Sequence, residues 1–210
     1  MTDATADMFD EGVLALEGGG VEGPASRDII VSYGFWIFIL SDIVLFSALF
    51  ATYAVLSGRT AGGPSGAQLF DLRRVFLETA CLLASSFCCG LMSLSIEARR
   101  VRATYIGAAL TFALGAAFLA LELSEFVGMI AAGDGPARSA FLSAFFTLVG
   151  THGLHVTCGL VWLTVMMAQV ATLGFRDKVV RRLRCFALFW HALDIVWVAL
   201  FTVVYLIGAR

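Results

Sequence analysis

Residues 140–173 read AFLSAFFTLVGTHGLHVTCGLVWLTVMMAQVATL. A helix needs about 20 predominantly apolar residues to cross a bilayer core, and this run exceeds that length. His152 and His155 stand inside it, where an ionisable side chain is expensive and marks business beyond spanning. Four further apolar runs accompany it, at 31–56, 75–96, 103–130 and 185–207, and they also carry acids or a histidine. The runs at 103–130 and 140–173 are longer than crossing requires, so they are expected to tilt or to project past the membrane.

Composition agrees with the runs. The 210 residues are 60% hydrophobic and only 14% charged, against about 25% charged in a soluble domain. No water-soluble fold of this length hides so much apolar surface. The expected class is all-α: a polytopic membrane protein whose residues 31–210 form a five-transmembrane-helix bundle. Residues 1–30 differ in kind. Asp3, Asp7, Asp10, Glu11, Glu17, Glu22 and Asp28 face a single Arg27, among Gly18, Gly19, Gly20, Gly23 and Pro24. This reads as a disordered or loosely ordered acidic arm. Its acidic start is not that of a signal peptide, so the first apolar helix is expected to direct insertion. The net charge of −2 argues against nucleic acid as a partner. The five cysteines are scattered without a CxxC pair and read as small buried apolar residues.

Positive charge sets the expected orientation. Arg27, Arg99, Arg100, Arg102, Arg176, Lys178, Arg181, Arg182 and Arg184 flank the runs on the N-terminal side. Only Arg59, Arg73, Arg74, Arg138 and Arg210 lie on the other side. Nine against five puts the N-terminus in the cytoplasm and the C-terminus in the periplasm. Small residues recur at about one-turn spacing, as in Gly107, Thr111 and Gly115, in Gly150, Gly153 and Gly159, and in Ser85 with Cys89 and Gly90. Such faces let helices approach closely, which predicts a compact bundle.

Eight ionisable groups lie inside the runs: Asp42, Glu78, Glu122, Glu125, His152, His155, His191 and Asp194. Glu122 and Glu125, His152 and His155, and His191 and Asp194 are each three residues apart, so each pair shares a helix face. Four readings fit these residues: a metal or haem site, a proton or ion path, contact with lipid headgroups or a partner, and hydrogen bonding between helices. The HxxH spacing is not the HExxH zinc pattern, and the chain has three histidines. No nucleophile stands with a base and an orienter, and no glycine-rich phosphate loop follows a strand.

Five segments, in order, carry a resemblance. They are GFW at 34–36 with LSDIVLF at 40–46, ETACLLASS at 78–86, ELSEF at 122–126, GTHGLHVTCG at 150–159, and FWHALDIVW at 189–197. Together they resemble subunit III of the haem–copper respiratory oxidases over roughly residues 31–208. TAGGP at 60–64 and GPARSAFLSAFF at 135–146 look most like the bo-type ubiquinol oxidase branch, which also has five helices. One departure is the membrane acid of the first helix, usually glutamate in cytochrome c oxidases and here Asp42.

The resemblance implies a bacterial inner-membrane subunit of a proton-pumping complex that oxidises quinol and reduces dioxygen to water. Haems, copper and quinone would lie in subunit I. This chain would hold no catalytic residue, redox centre, cofactor site or metal. It would pack against subunit I, with subunits II and IV in the same complex, and bind phospholipids in a cleft. The eight ionisable positions would then serve as polar, lipid-contacting or proton-path-adjacent groups. The alternatives are subunit III of a bacterial cytochrome c oxidase, a stand-alone membrane transporter, or a b-type haem protein using His191 with His152 or His155. The transporter is disfavoured because Pro24, Pro64 and Pro136 all fall outside the runs and no repeat is evident.

Overall fold

The computed structural model describes residues 27–63, 66–69 and 71–208. Residues 1–26 of the expected acidic arm lie outside the described residues, and residues 27–30 are already helical. Five helices are long and apolar enough to cross a membrane: α1 (Arg27–Leu56), α2 (Leu72–Glu97), α3 (Val101–Ala131), α4 (Ala140–Leu173) and α5 (Asp177–Leu200). A short helical turn, Gly66–Leu69, precedes α2. A π-helical segment, Phe201–Ile207, extends α5. Among the described residues there is no strand. The chain divides into two units, Met1–Gly34 and Phe35–Arg210, and the helix packing lies within the second.

The helix ends follow from local chemistry. Asp71 accepts from the Arg73 N–H at 3.0 Å and caps α2, and Ser139 accepts from the Leu142 N–H at 3.2 Å and caps α4. After α3, Gly133 takes φ 86°; its N–H reaches the Ile130 carbonyl while that of Asp134 reaches Met129. This paired closure needs a residue in the left-handed region, which glycine occupies freely. The turn after α2 has the same bonds, Arg99 to Ile96 and Arg100 to Ser95, with Arg99 at φ 52° in place of glycine. The last span begins at Asp177, two turns before the apolar run at 185. Those turns carry Lys178, Arg181, Arg182 and Arg184, so hydropathy does not register them as helix.

α2 and α3 make the most extensive helix pairing. Trp190 of α5 ties four helices together. Its indole is buried, and its Nε1 donates to Ser85 Oγ of α2 at 3.1 Å. Its ring fills the space left by Gly115 of α3 and Gly159 of α4: a Cβ at Gly115 would lie 2.9 Å from Cζ2, and one at Gly159 would lie 2.7 Å from Cζ3. Ser85 in turn donates to the Thr111 carbonyl of α3 at 2.9 Å. The expected close approach through small residues is present here. α1 is the exception to the compact bundle, being the least buried of the five spans. Side-chain contacts hold it, among them the Phe35 ring 6.1 Å from that of Trp162, the Phe46 ring 5.3 Å from that of His155, and Tyr53 OH donating to the Val204 carbonyl at 3.5 Å.

Candidate functional site

The eight ionisable positions fall into three polar clusters and one isolated ring. The first cluster joins α1 to α4. Asp42 Oδ1 lies 3.8 Å from His155 Nε2, with both side chains about 20% exposed. His155 Nδ1 lies 2.8 Å from the Thr151 carbonyl. A carbonyl can only accept, so the proton of that bond sits on Nδ1 and leaves Nε2 facing the carboxylate. A favourable Asp42–His155 contact therefore needs one further proton between the facing atoms, on either group.

Asp42 also lines a cleft between α1 and α5. The cleft has a volume of about 280 Å³, and its walls include Phe35, Trp36, Ile39, Phe46, Phe189 and His191. Its lining is almost wholly apolar, which suits an acyl chain better than a polar metabolite.

The second cluster joins α2 to the C-terminal part of α3. Glu78, Glu122 and Glu125 are all buried, and Glu78 and Glu125 both lie within electrostatic reach of Glu122. One cation meets them: Arg74 Nε is 3.8 Å from Glu78 Oε1. The same guanidinium donates to the Leu121 carbonyl at 3.0 Å and to Ser124 Oγ. Glu122 presses against Gly153 of α4, where a Cβ would sit 2.9 Å from Oε1. Neither oxygen of Glu78 or Glu122 has a hydrogen-bond partner among the described residues.

The third cluster joins α2 to α5. Ser86 Oγ lies 2.7 Å from His191 Nδ1, and Asp194 lines the same surface beside them. His152 stands apart from all three. It is fully buried, with its ring 5.8 Å from that of Phe118, 5.2 Å from that of Trp197 and 6.3 Å from that of Phe46.

One of the pairs expected on one helix face, His152 and His155, therefore parts company. His155 meets Asp42 of α1, while His152 enters an aromatic box. His191 turns toward Ser86 of α2, so the three histidines diverge. Among the described residues no group of three His, Cys, Asp or Glu side chains is placed to hold a metal ion.

The sequence reading missed two partners. Arg74 was counted as a loop charge, but it lies in the first turn of α2 and reaches α3. Its place four residues before Glu78 is a legible signal. Ser86 was quoted in a motif without a role, and nothing local links it to a histidine 105 residues away.

The family model for cytochrome c oxidase subunit III matches residues 16–209. The chain belongs to the cytochrome c oxidase subunit III family. Subunit 3 of the cytochrome bo(3) ubiquinol oxidase of Pseudomonas aeruginosa is 54% identical over 179 residues, covering 84% of this chain and 85% of the relative. The protein of the same name from Pseudomonas putida is 51% identical, covering 83% and 84%. Subunit 3 of a cytochrome c oxidase from Bacillus sp. (strain PS3) is 42% identical, again covering 83% and 84%. As a subunit III, the chain is a multi-pass membrane component of an oxidase and works in a complex with other oxidase subunits.

Proposed function

We propose that this chain is the non-catalytic subunit III of a proton-translocating quinol oxidase in a bacterial inner membrane. The observation that carries the choice of donor is the higher identity to the two ubiquinol oxidase subunits, 54% and 51%, than to the cytochrome c oxidase subunit, 42%. In this reading haems, copper and quinone belong to subunit I, and subunits II and IV complete the complex. The N-terminus is cytoplasmic and the C-terminus periplasmic, in keeping with the asymmetry of positive charge.

The eight polar positions have structural and environmental roles. Asp42 and His155 hold α1 against α4 beside the α1–α5 cleft. The apolar lining of that cleft supports a phospholipid chain as its occupant, with the Asp42–His155 pair next to it. Glu78, Glu122 and Glu125 with Arg74 fix the α2–α3 pair, and His191 with Asp194 and Ser86 fixes α5 to α2. None of them touches a reacting atom in this reading. Their influence on turnover runs through the position of subunit I and its lipid surroundings.

A mild-detergent pull-down of the tagged chain from its native membrane tests the proposal. The eluate should contain subunit I and consume oxygen when given quinol. Oxygen uptake with reduced cytochrome c and none with quinol would transfer the chain to the cytochrome c branch, which the 42% relative represents. An eluate without other oxidase subunits would break the subunit reading altogether.

A further inference from the structure

Glu78, Glu122 and Glu125 bring three buried carboxyls together, and the Arg74 guanidinium does not serve them equally. Its Nε is 3.8 Å from Glu78 Oε1, and it lies within electrostatic reach of Glu125 as well. Glu122 differs. The charges that act on it are the carboxyls of Glu78 and Glu125. Glu122 is only 2% exposed, and neither of its oxygens has a hydrogen-bond partner among the described residues. Its carboxyl fits a notch in α4. A Cβ at Gly153 would lie 2.9 Å from Oε1 and 3.0 Å from Oε2, so glycine at that position admits both oxygens.

Each packed element contributes a known set of groups around this acid. α2 brings Asp71, Arg74 and Glu78, and α3 brings Glu125. The π-helical segment brings Tyr205, which is buried and lies within electrostatic reach of all three glutamates, and Tyr53 of α1 acts on Tyr205 in turn. α4 brings Gly153, while its His152 turns into the aromatic box of Phe118 and Trp197. An ionised Glu122 would therefore stand buried beside two groups of its own sign. Such a carboxylate gives up its hydration for nothing in return, whereas a bound proton removes the charge and the repulsion together. A metal ion is not the alternative, because among the described residues no three His, Cys, Asp or Glu side chains are placed to hold one.

We infer that Glu122 is a proton-binding site, a neutral carboxylic acid at physiological pH, seated against Gly153 and governed by Glu78 and Glu125 rather than by Arg74. This site goes beyond the subunit reading and does not depend on the electron donor of the complex.

Infrared spectra of the purified complex at neutral pH, in H₂O and in D₂O, test it. Wild type minus Glu122→Gln should show the C=O band of one protonated carboxyl, shifted on deuteration, and no carboxylate band. Glutamine matches the neutral acid in size and charge, so the variant should still accumulate. Gly153→Ala reads the same acid without removing it. A methyl carbon 2.9 Å from Oε1 should move that C=O band and leave the carboxylate bands in place. If Glu122→Gln does not accumulate, the Gly153→Ala spectrum decides alone.

Carboxylate bands in the Glu122→Gln difference, with no protonated band, would mean an ionised Glu122 solvated by buried water and would overturn the inference. A Gly153→Ala spectrum in which only carboxylate bands move would do the same. Neither result touches the subunit reading, which stands or falls on the pull-down.

Discussion

Replacing Gly159 by alanine would place a methyl carbon 2.7 Å from Trp190 Cζ3 and 3.2 Å from Phe189 Cε1. The indole has little room to yield. Its opposite edge already lies against Gly115, and its Nε1 is tied to Ser85 Oγ at 3.1 Å. Forcing an extra carbon into such a site costs about 1–3 kcal/mol, partly offset by the about 0.5–1 kcal/mol that alanine gains over glycine inside a helix. The expected net loss is about 1–2 kcal/mol.

The reasoning gains force in a second background. Phenylalanine at position 190 stops short of the far edge of the indole, where Cζ2, Cζ3 and Cη2 lie. Gly159→Ala in the Trp190→Phe background should therefore cost nothing, or stabilise by about 0.5 kcal/mol through helix propensity. The two substitutions should couple by about 1–3 kcal/mol. The assay is thermal unfolding of the purified complex, followed by exposure of the buried Cys89 and Cys185 thiols to a fluorogenic maleimide. For a chain of this size each kcal/mol moves the midpoint by about 2–4 °C. Equal drops from Gly159→Ala in both backgrounds would refute the idea that the two glycines clasp this ring.

Three further outcomes follow from the geometry. Arg99→Gly relieves a left-handed backbone but loses the bond to the Phe175 carbonyl at 3.2 Å, so it should be near neutral, whereas Arg99→Ala loses the bond and keeps the strain; their midpoints should differ by about 1 kcal/mol, with glycine higher. Arg74→Gln takes the cation from beside Glu78 and a charged donor from the Leu121 carbonyl, which should destabilise by about 1–3 kcal/mol and show as poor accumulation of the chain in the membrane. Asp42→Ala should mildly shorten sustained quinol turnover and leave the haem content of the purified complex unchanged; haem loss would contradict a role confined to α1, α4 and the cleft.

The five spans were legible because hydropathy and length alone decide them. The first two turns of α5 were not, since their charged residues lie beyond the apolar run, where hydropathy cannot tell helix from loop. Gly133 announced its turn, because glycine is the residue a left-handed closure selects. Arg99 makes the same turn without any such signal. The polar positions could be named from sequence because ionisable groups in apolar runs stand out, but their partners depend on helix rotation and pairing. Glu78 and Arg74 share a helix and could have been paired. Ser86 with His191, and Asp42 with His155, depend on tertiary approach across more than a hundred residues. The π-helical widening at Phe201–Ile207 had no sequence signature.

The buried polar groups divide by how fully this chain satisfies them, and the division separates two functions. Trp190 with Ser85 and Thr111, and Trp197 Nε1 with Thr79 Oγ1 at 3.1 Å, form bonds closed within the bundle. Removing such a group should be felt as lost stability of this chain, wherever it is studied. Asp42 with His155 stands instead at the edge of the bundle, beside the α1–α5 cleft. An apolar cleft with one acid–base pair at its wall suits a lipid chain. Substitutions at Trp190 and Trp197 should therefore lower the unfolding midpoint of the complex more than Asp42→Ala does, since the indoles are buried inside the bundle and Asp42 is not. An Asp42→Ala midpoint as low as theirs would collapse that distinction.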